Sequence, residues 1–126
     1  MLRAVIAMPE RKGNYFPLPN EIFNMDLSAA EIALYAFLMR MEDRKTFTCY
    51  PSFETIGNAL QMSSKNTVMK YVRLLEEKEL ISTEHTIVEH HDGMLRNGNL
   101  MFKILPIKQA FDAFHRRQLC HYGRRK

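Results

Sequence analysis

Between Ser63 and Arg73 the sequence brings together Lys65, Asn66, Met69, Lys70 and Arg73. At helical spacing these side chains share one face, and the opposite stripe, Val68, Tyr71, Val72 and Leu75, is apolar at i, i+3, i+4, i+7. Ammonium, guanidinium and carboxamide groups are donors for phosphate oxygens and base edges. A carboxamide suits adenine, and Lys or Arg suits guanine or phosphate. The stretch is also polarised. Its first half is basic and amide-rich, while Glu76, Glu77 and Glu79 make its end acidic, so only the first half can approach a polyanion. Ser63 or Ser64 is placed to cap its start, with Thr67 on the first turn, and Ser63, Ser64 and Thr67 are expected to contact DNA together with the basic face. A solvated charged face is the competing reading of the same residues.

The elements around this stretch read as its support. Ser52 follows Pro51 as a helix N-cap, and Phe53, Ile56 and Leu60 give a short helix one apolar face. Gly57 lies inside that helix, where it costs about 1 kcal/mol against Ala and is tolerable if a second helix approaches closely. Gln61-Met62-Ser63 forms the turn, with Met62 as the apolar plug. Two helices joined this way outline a helix-turn-helix, in which the N-terminal half of the second helix enters a major groove.

Downstream, Leu80–Leu105 is expected to be a β-hairpin with strands Thr83–Val88 and Leu100–Leu105, in which Phe102 and Ile104 alternate with Met101, Lys103 and Leu105. Asp92-Gly93 and Asn97-Gly98 are both turn signals, and either can be the tip. Arg96 and Asn97 are placed for DNA contact, and Ser52, His90, His91, Lys103, Arg116 and Arg117 for phosphate. An exposed polar loop is the alternative for the hairpin.

Upstream, Tyr15–Pro19 reads as an extended arm with packed aromatics, and Asn20–Phe23 as one helical turn. Ser28 and Glu31 make a capping box for a helix over Ala29–Met41. That helix is apolar nearly all round, which fits a central core helix or a dimer contact. Thr46–Tyr50 is β-prone. At the far end, Pro106 is expected at the first position of a helix carrying Ile107, Ala110, Phe111 and Phe114, with Leu119 near the continuation of the stripe.

Ser64–Ile81, SKNTVMKYVRLLEEKELI, resembles the recognition helix and wing approach of bacterial winged helix-turn-helix proteins. In these a Ser-x-x-Thr-Val start, a basic residue on the next turn and a Leu-Ile exit recur. YFPLPNEIF from Tyr15, LSAAEIALYAFLMRMEDRKTFTCYPSFETIG from Leu27 and FKILPIKQAFDAF from Phe102 resemble one branch. These are small proteins of plasmids and integrative elements, related to the N-terminal domains of replication initiators. The resemblance spans about Tyr15 to Leu119. It implies a mainly α fold with a small β-hairpin wing: a winged helix-turn-helix on a three-helix core, plus a C-terminal helix. Glu79 departs from the pattern, standing where the family commonly has a helix-ending Gly, which argues against a left-handed C-cap there. Met8 resembles the family's natural start, so residues 1–7 are expected to be an extension with little structure.

At 126 residues the chain suits one domain. The expected division is a flexible segment over 1–14, the winged domain over 15–105, a helix over 106–120 and a basic tail over 121–126. The net charge of +4 is concentrated at the end, where Lys108, Arg116, Arg117, Arg124, Arg125 and Lys126 face one acid, Asp112. Two cysteines do not make a disulfide framework. No apolar run nears the ~20 residues that span a bilayer, so a cytoplasmic protein without membrane partners is expected. Neither a catalytic motif nor a zinc-like spacing of the histidines and cysteines is present, and no cofactor, metal or small-molecule ligand is suggested. These features point to sequence-specific binding of double-stranded DNA by a small, dimeric transcriptional regulator. A replication-initiation module and a winged helix that binds only protein are the alternatives.

Overall fold

The computed structural model describes residues 15–124, so the expectations for residues 1–14 and for the last two residues of the basic tail lie outside it. Helix α1 (Ala29–Met41) begins as its sequence dictates. The Ser28 hydroxyl accepts from the Glu31 N–H, and the Glu31 carboxylate accepts from the Ser28 N–H at 3.0 Å. Leu34, Tyr35 and Leu38 are buried, and Ile32, Phe37 and Met39 pack on the same core. The apolar circumference of α1 is thus taken up within the domain, as a central helix requires.

Strand β1 (Thr48–Cys49) leads into α2 (Phe53–Leu60), and α2 into α3 (Lys65–Glu77). The chain then forms β2 (Ile81–Glu84), β3 (Ile87–Glu89), β4 (Leu95–Asn97), β5 (Met101–Ile104) and α4 (Ile107–Arg124). One sheet has three antiparallel strands in the order β1-β5-β2, and β3 pairs with β4 separately. Phe102 and Ile104 of the central strand, with Ile81, join Ile56, Val68, Val72 and Leu75 in the core beneath α1. Mainly helical, with a small β wing and a C-terminal helix, the fold is the expected winged helix-turn-helix.

The wing differs from a single hairpin. Its two long strands are each broken, at His85-Thr86 and at Gly98-Leu100. The Thr86 hydroxyl donates to the Asn99 carbonyl at 2.6 Å, and the Gly98 N–H donates to the Thr86 carbonyl at 2.9 Å. These bonds turn the chain between the two pairs of strands. A Cβ at Gly98 would come within 2.7 Å of Val88 Cγ2, so the joint requires glycine. Asp92-Gly93 is the tip: the Gly93 N–H reaches the His90 carbonyl, and Gly93 has φ 79. Asn97-Gly98 is the joint instead.

Three further expectations shift. Leu18, Ile22 and Met25 anchor the N-terminal arm, while Tyr15 is 63% exposed. Pro106 lies just before α4 and not inside it, its carbonyl accepting from Gln109 and Ala110 N–H groups. Helix α4 extends through Arg124, four residues into the stretch read as a tail, but its packed stripe ends at Phe114 and Leu119 is 72% exposed. Ala113, absent from the expected stripe, is buried. Both cysteines are free, Cys49 buried and Cys120 exposed; burial, with the Glu42 charge, pushes the Cys49 thiol up to about 11.

Helix α3 is terminated by a left-handed residue after all. Glu79 has φ 60; its N–H donates to the Glu76 carbonyl, and the Leu80 N–H donates to the Leu75 carbonyl. That bond pair is the Schellman closure, with Leu80 buried as its apolar contact. Gly is favoured at such a position because a Cβ is strained there by about 1–2 kcal/mol. The Glu79 side chain holds Gln109 at 3.2 Å and lies 4.0 Å from Arg116, both exposed contacts of small worth. Glu79→Gly should therefore raise stability by about 1 kcal/mol in urea denaturation. No gain would mean that the contacts to α4 offset the strain.

Lys78 donates to the Glu31 carboxylate at 2.7 Å, and the Glu31 side chain is only 5% exposed. Burial raises the Glu31 pKa, but the bonds from Lys78 and Ser28 outweigh it and hold the carboxyl below its ordinary value of 4.5. Lys78→Ala strands a buried carboxylate and should cost about 3 kcal/mol. A carboxyl depressed in the folded state stabilises fully above its unfolded value, and that contribution is lost as pH falls through the folded one. Acid titration of stability should thus fall more steeply below pH 4.5 in the natural protein than in Glu31→Gln. Parallel curves would remove Glu31 as the cause.

Candidate nucleic-acid interface

The two helices of the motif are capped alike. Ser52 accepts from the Thr55 N–H at 3.0 Å and Ser64 from the Thr67 N–H at 3.2 Å. In each pair the hydroxyls also bond one another, at 2.8 and 2.9 Å. The choice left open between Ser63 and Ser64 falls to Ser64 as the cap, with Ser63 exposed in the turn. Ser52, Ser64 and Thr67 are thus first of all residues that fix helix starts.

The turn covers residues 61–64, one more than Gln61-Met62-Ser63, because Ser64 is the cap and α3 begins at Lys65. Gln61 takes a left-handed conformation, φ 59 and ψ 38, and the Met62 N–H donates to the Gly57 carbonyl at 2.9 Å. A Cβ on Gly57 would stand 2.8 Å from the Met62 carbonyl oxygen, whereas Val68 on α3 is at 3.9 Å. The close neighbour that requires glycine is therefore the turn's own backbone and not the second helix. Met62 packs half-buried against the core, as a plug should.

With the turn fixed, α3 buries Val68, Val72 and Leu75 and presents Lys65, Asn66, Lys70 and Arg73 to solvent, with Met69 half-buried beside them. Lys65 Nζ rests 5.5 Å from the centre of the Phe53 ring, and Lys70 Nζ 5.3 Å from that of Tyr71. Such contacts are weak at exposed sites, about 0.5–1 kcal/mol, so they orient the ammonium groups without consuming their charge. None of Lys65, Lys70 and Arg73 is in an ion pair among the described residues.

The remaining site residues divide. Arg96 and Asn97 lie on exposed β4, and Arg96 pairs with Asp92 at 3.1 Å, an exposed bridge that a phosphate can replace. His90 and His91 are exposed at the wing tip. Lys103 is not brought to α3: it lines a cleft with Met39, Glu42 and Ile107. Arg116 lies by Glu79, beyond the acidic end of α3, and with 13 residues α3 is about 20 Å long. Neither Arg116 nor the adjacent exposed Arg117 therefore belongs with the Ser64–Arg73 face.

Sequence reasoning missed a second exposed group. Asn99 donates from Nδ2 to the Tyr50 carbonyl at 3.1 Å, which ties the wing root to the start of α2. Tyr50, Ser52, Thr55 and Asn99 line an open cleft there. The only sequence signal was Asn97-Gly-Asn99, which reads as a turn.

Residues 26–81, from the residue that leads into α1 through the first of β2, match a family described as helix-turn-helix domain. No curated protein sequence matches the chain. Among solved structures, the chain is similar to one described as a possible transcriptional regulator from Methanosarcina mazei Go1, with a TM-score of 0.51 and 16% identity. The alignment covers 80% of this chain and 78% of that one. At this identity the likeness concerns the fold alone.

Proposed function

We propose that the protein binds double-stranded DNA in a sequence-specific manner as a small transcriptional regulator. The first half of α3 enters the major groove, and the wing meets the backbone or the minor groove. The observation that carries this reading is the uncovered, unpaired row of Lys65, Asn66, Lys70 and Arg73 on a helix whose inner face is locked into the core. A protein-only winged helix would cover or neutralise that row. The positive end of the α3 dipole points the same way as its basic residues, and Glu76 and Glu77 keep the other end away from phosphate. Regulation is preferred to replication initiation because the similar solved structure is described as a possible transcriptional regulator.

Two copies acting together would read two half-sites. The first helix is taken up by the core, so α4 is the surface we assign to dimerisation, with Leu119 exposed beyond its packed stripe.

Selection of bound duplexes from a random pool, followed by a salt titration on the enriched sequence, is the direct test. Arg73→Ala and Lys70→Ala should each weaken binding to that sequence by about 1–3 kcal/mol if they read bases. Unchanged affinity in both would sink the assignment of the docking face. Light scattering should give twice the chain mass on DNA carrying a two-fold repeat, and a strictly monomeric mass with and without DNA removes the dimer.

A further inference from the structure

The outer face of α3 has a polar centre and an apolar flank. Asn66, Lys70 and Arg73 recur at i, i+4 and i+7 and are all exposed, so they form the row that points away from the core. Met69 stands beside that row, three residues after Asn66 and four before Arg73, the spacings that make helical side chains neighbours. Met69 is half-buried, yet it is not among the apolar side chains that form the core or pack on it, which on α3 are Val68, Tyr71, Val72 and Leu75. Its thioether is thus carried on a surface otherwise made of donors.

Leu74 is the other apolar residue of α3 outside that group. It belongs to the half of the helix that ends in Glu76 and Glu77, which phosphate repels. Met69 belongs to the half that holds Lys65, Asn66 and Lys70.

With α3 docked in the major groove as proposed above, on which this depends, we infer that Met69 sets specificity: its side chain packs on the 5-methyl group of a thymine close to the base that Asn66 reads.

The chemistry of the groove narrows the choice. Guanine presents N7 and O6 there, adenine N7 and N6, cytosine N4 and thymine O4. Water bonds to these groups in free DNA, and a side chain without donors pressed against one of them displaces that water and returns no hydrogen bond. The thymine methyl is the apolar group that the major groove offers. Packing Met69 on it removes apolar surface from water on both partners. Methionine is unbranched, with three rotatable bonds, so the side chain can settle on a methyl group without any shift of α3. Asn66, one turn earlier on the same side, suits adenine by its paired donor and acceptor. Together the two side chains favour neighbouring A·T pairs under the first turns of α3, with Lys70 and Arg73 left for guanine or phosphate.

The test uses the duplex that the natural protein enriches from a random pool, with its thymines replaced one at a time by deoxyuridine. That exchange removes a methyl group and leaves every hydrogen-bonding group in place. At one thymine of each bound half-site it should weaken binding about fourfold, the effect of one buried methyl group. Met69→Ala alters a side chain outside the core and should fold normally, and it should bind the thymine and deoxyuridine duplexes equally. An enriched duplex in which every thymine can be replaced without loss would overturn the inference and leave the docking of α3 standing. So would a fourfold loss that persists in Met69→Ala. A pool that yields no enriched sequence would overturn both.

Discussion

The Glu31 carboxylate holds the geometry together. One oxygen accepts from the Ser28 N–H at the first turn of α1, and the other receives the Lys78 ammonium at the end of α3. The acid thus lies at the positive end of one helix dipole and the base at the negative end of another. With the acid buried and the lysine partly exposed, the pair adds little net stability compared with apolar residues of the same shape. It does fix where the central helix meets the recognition helix, because breaking it leaves an unpartnered charge. The other end of α3 is fixed by Ser64 and by the turn at Gly57 and Met62. A helix held at both ends against one core has little freedom to tilt, and its outer face is therefore presented at a set angle.

Left-handed backbone accumulates at the same joints. Asp26, Phe47, Gln61 and Glu79 all have positive φ without being glycine. Asp26 precedes α1, Phe47 precedes the sheet, and Gln61 and Glu79 bracket α3. Each costs energy that only surrounding structure can hold. At Glu79 that structure is the Schellman bond pair with buried Leu80, so the chain ends the helix there despite lacking the residue best suited to it. At Phe47 it is the pair of bonds to Asp43 and Ile104.

Much of this was legible because it is local. The Ser28 and Glu31 box, the Ser52 cap and the apolar stripe Val68, Tyr71, Val72 and Leu75 act over three to seven residues, and periodicity and capping rules read that distance well. The outward row from Lys65 to Arg73 follows from the stripe. What escaped was either long-range or geometric. Lys78 and Glu31 are 47 positions apart. Arg116 looked like a phosphate ligand by charge, but the path of α4 places it beside Glu79. The broken wing was hidden because Thr86 and Asn99 are unremarkable as types, and their hydrogen bond sets the kink.

That break divides the wing into parts of unequal obligation. The inner strands β2 and β5 keep their register because Ile81, Phe102 and Ile104 must stay in the core, and a slip of one residue would turn all three outward. The outer strands β3 and β4 carry no buried residue. A two-stranded ribbon of this size is marginal by itself in water. Its length and composition are thus free of the constraints that bind the rest of the domain. Selection can lengthen, shorten or recompose the tip while every inner contact persists, so among descendants of this scaffold the tip is where divergence in target should be written first.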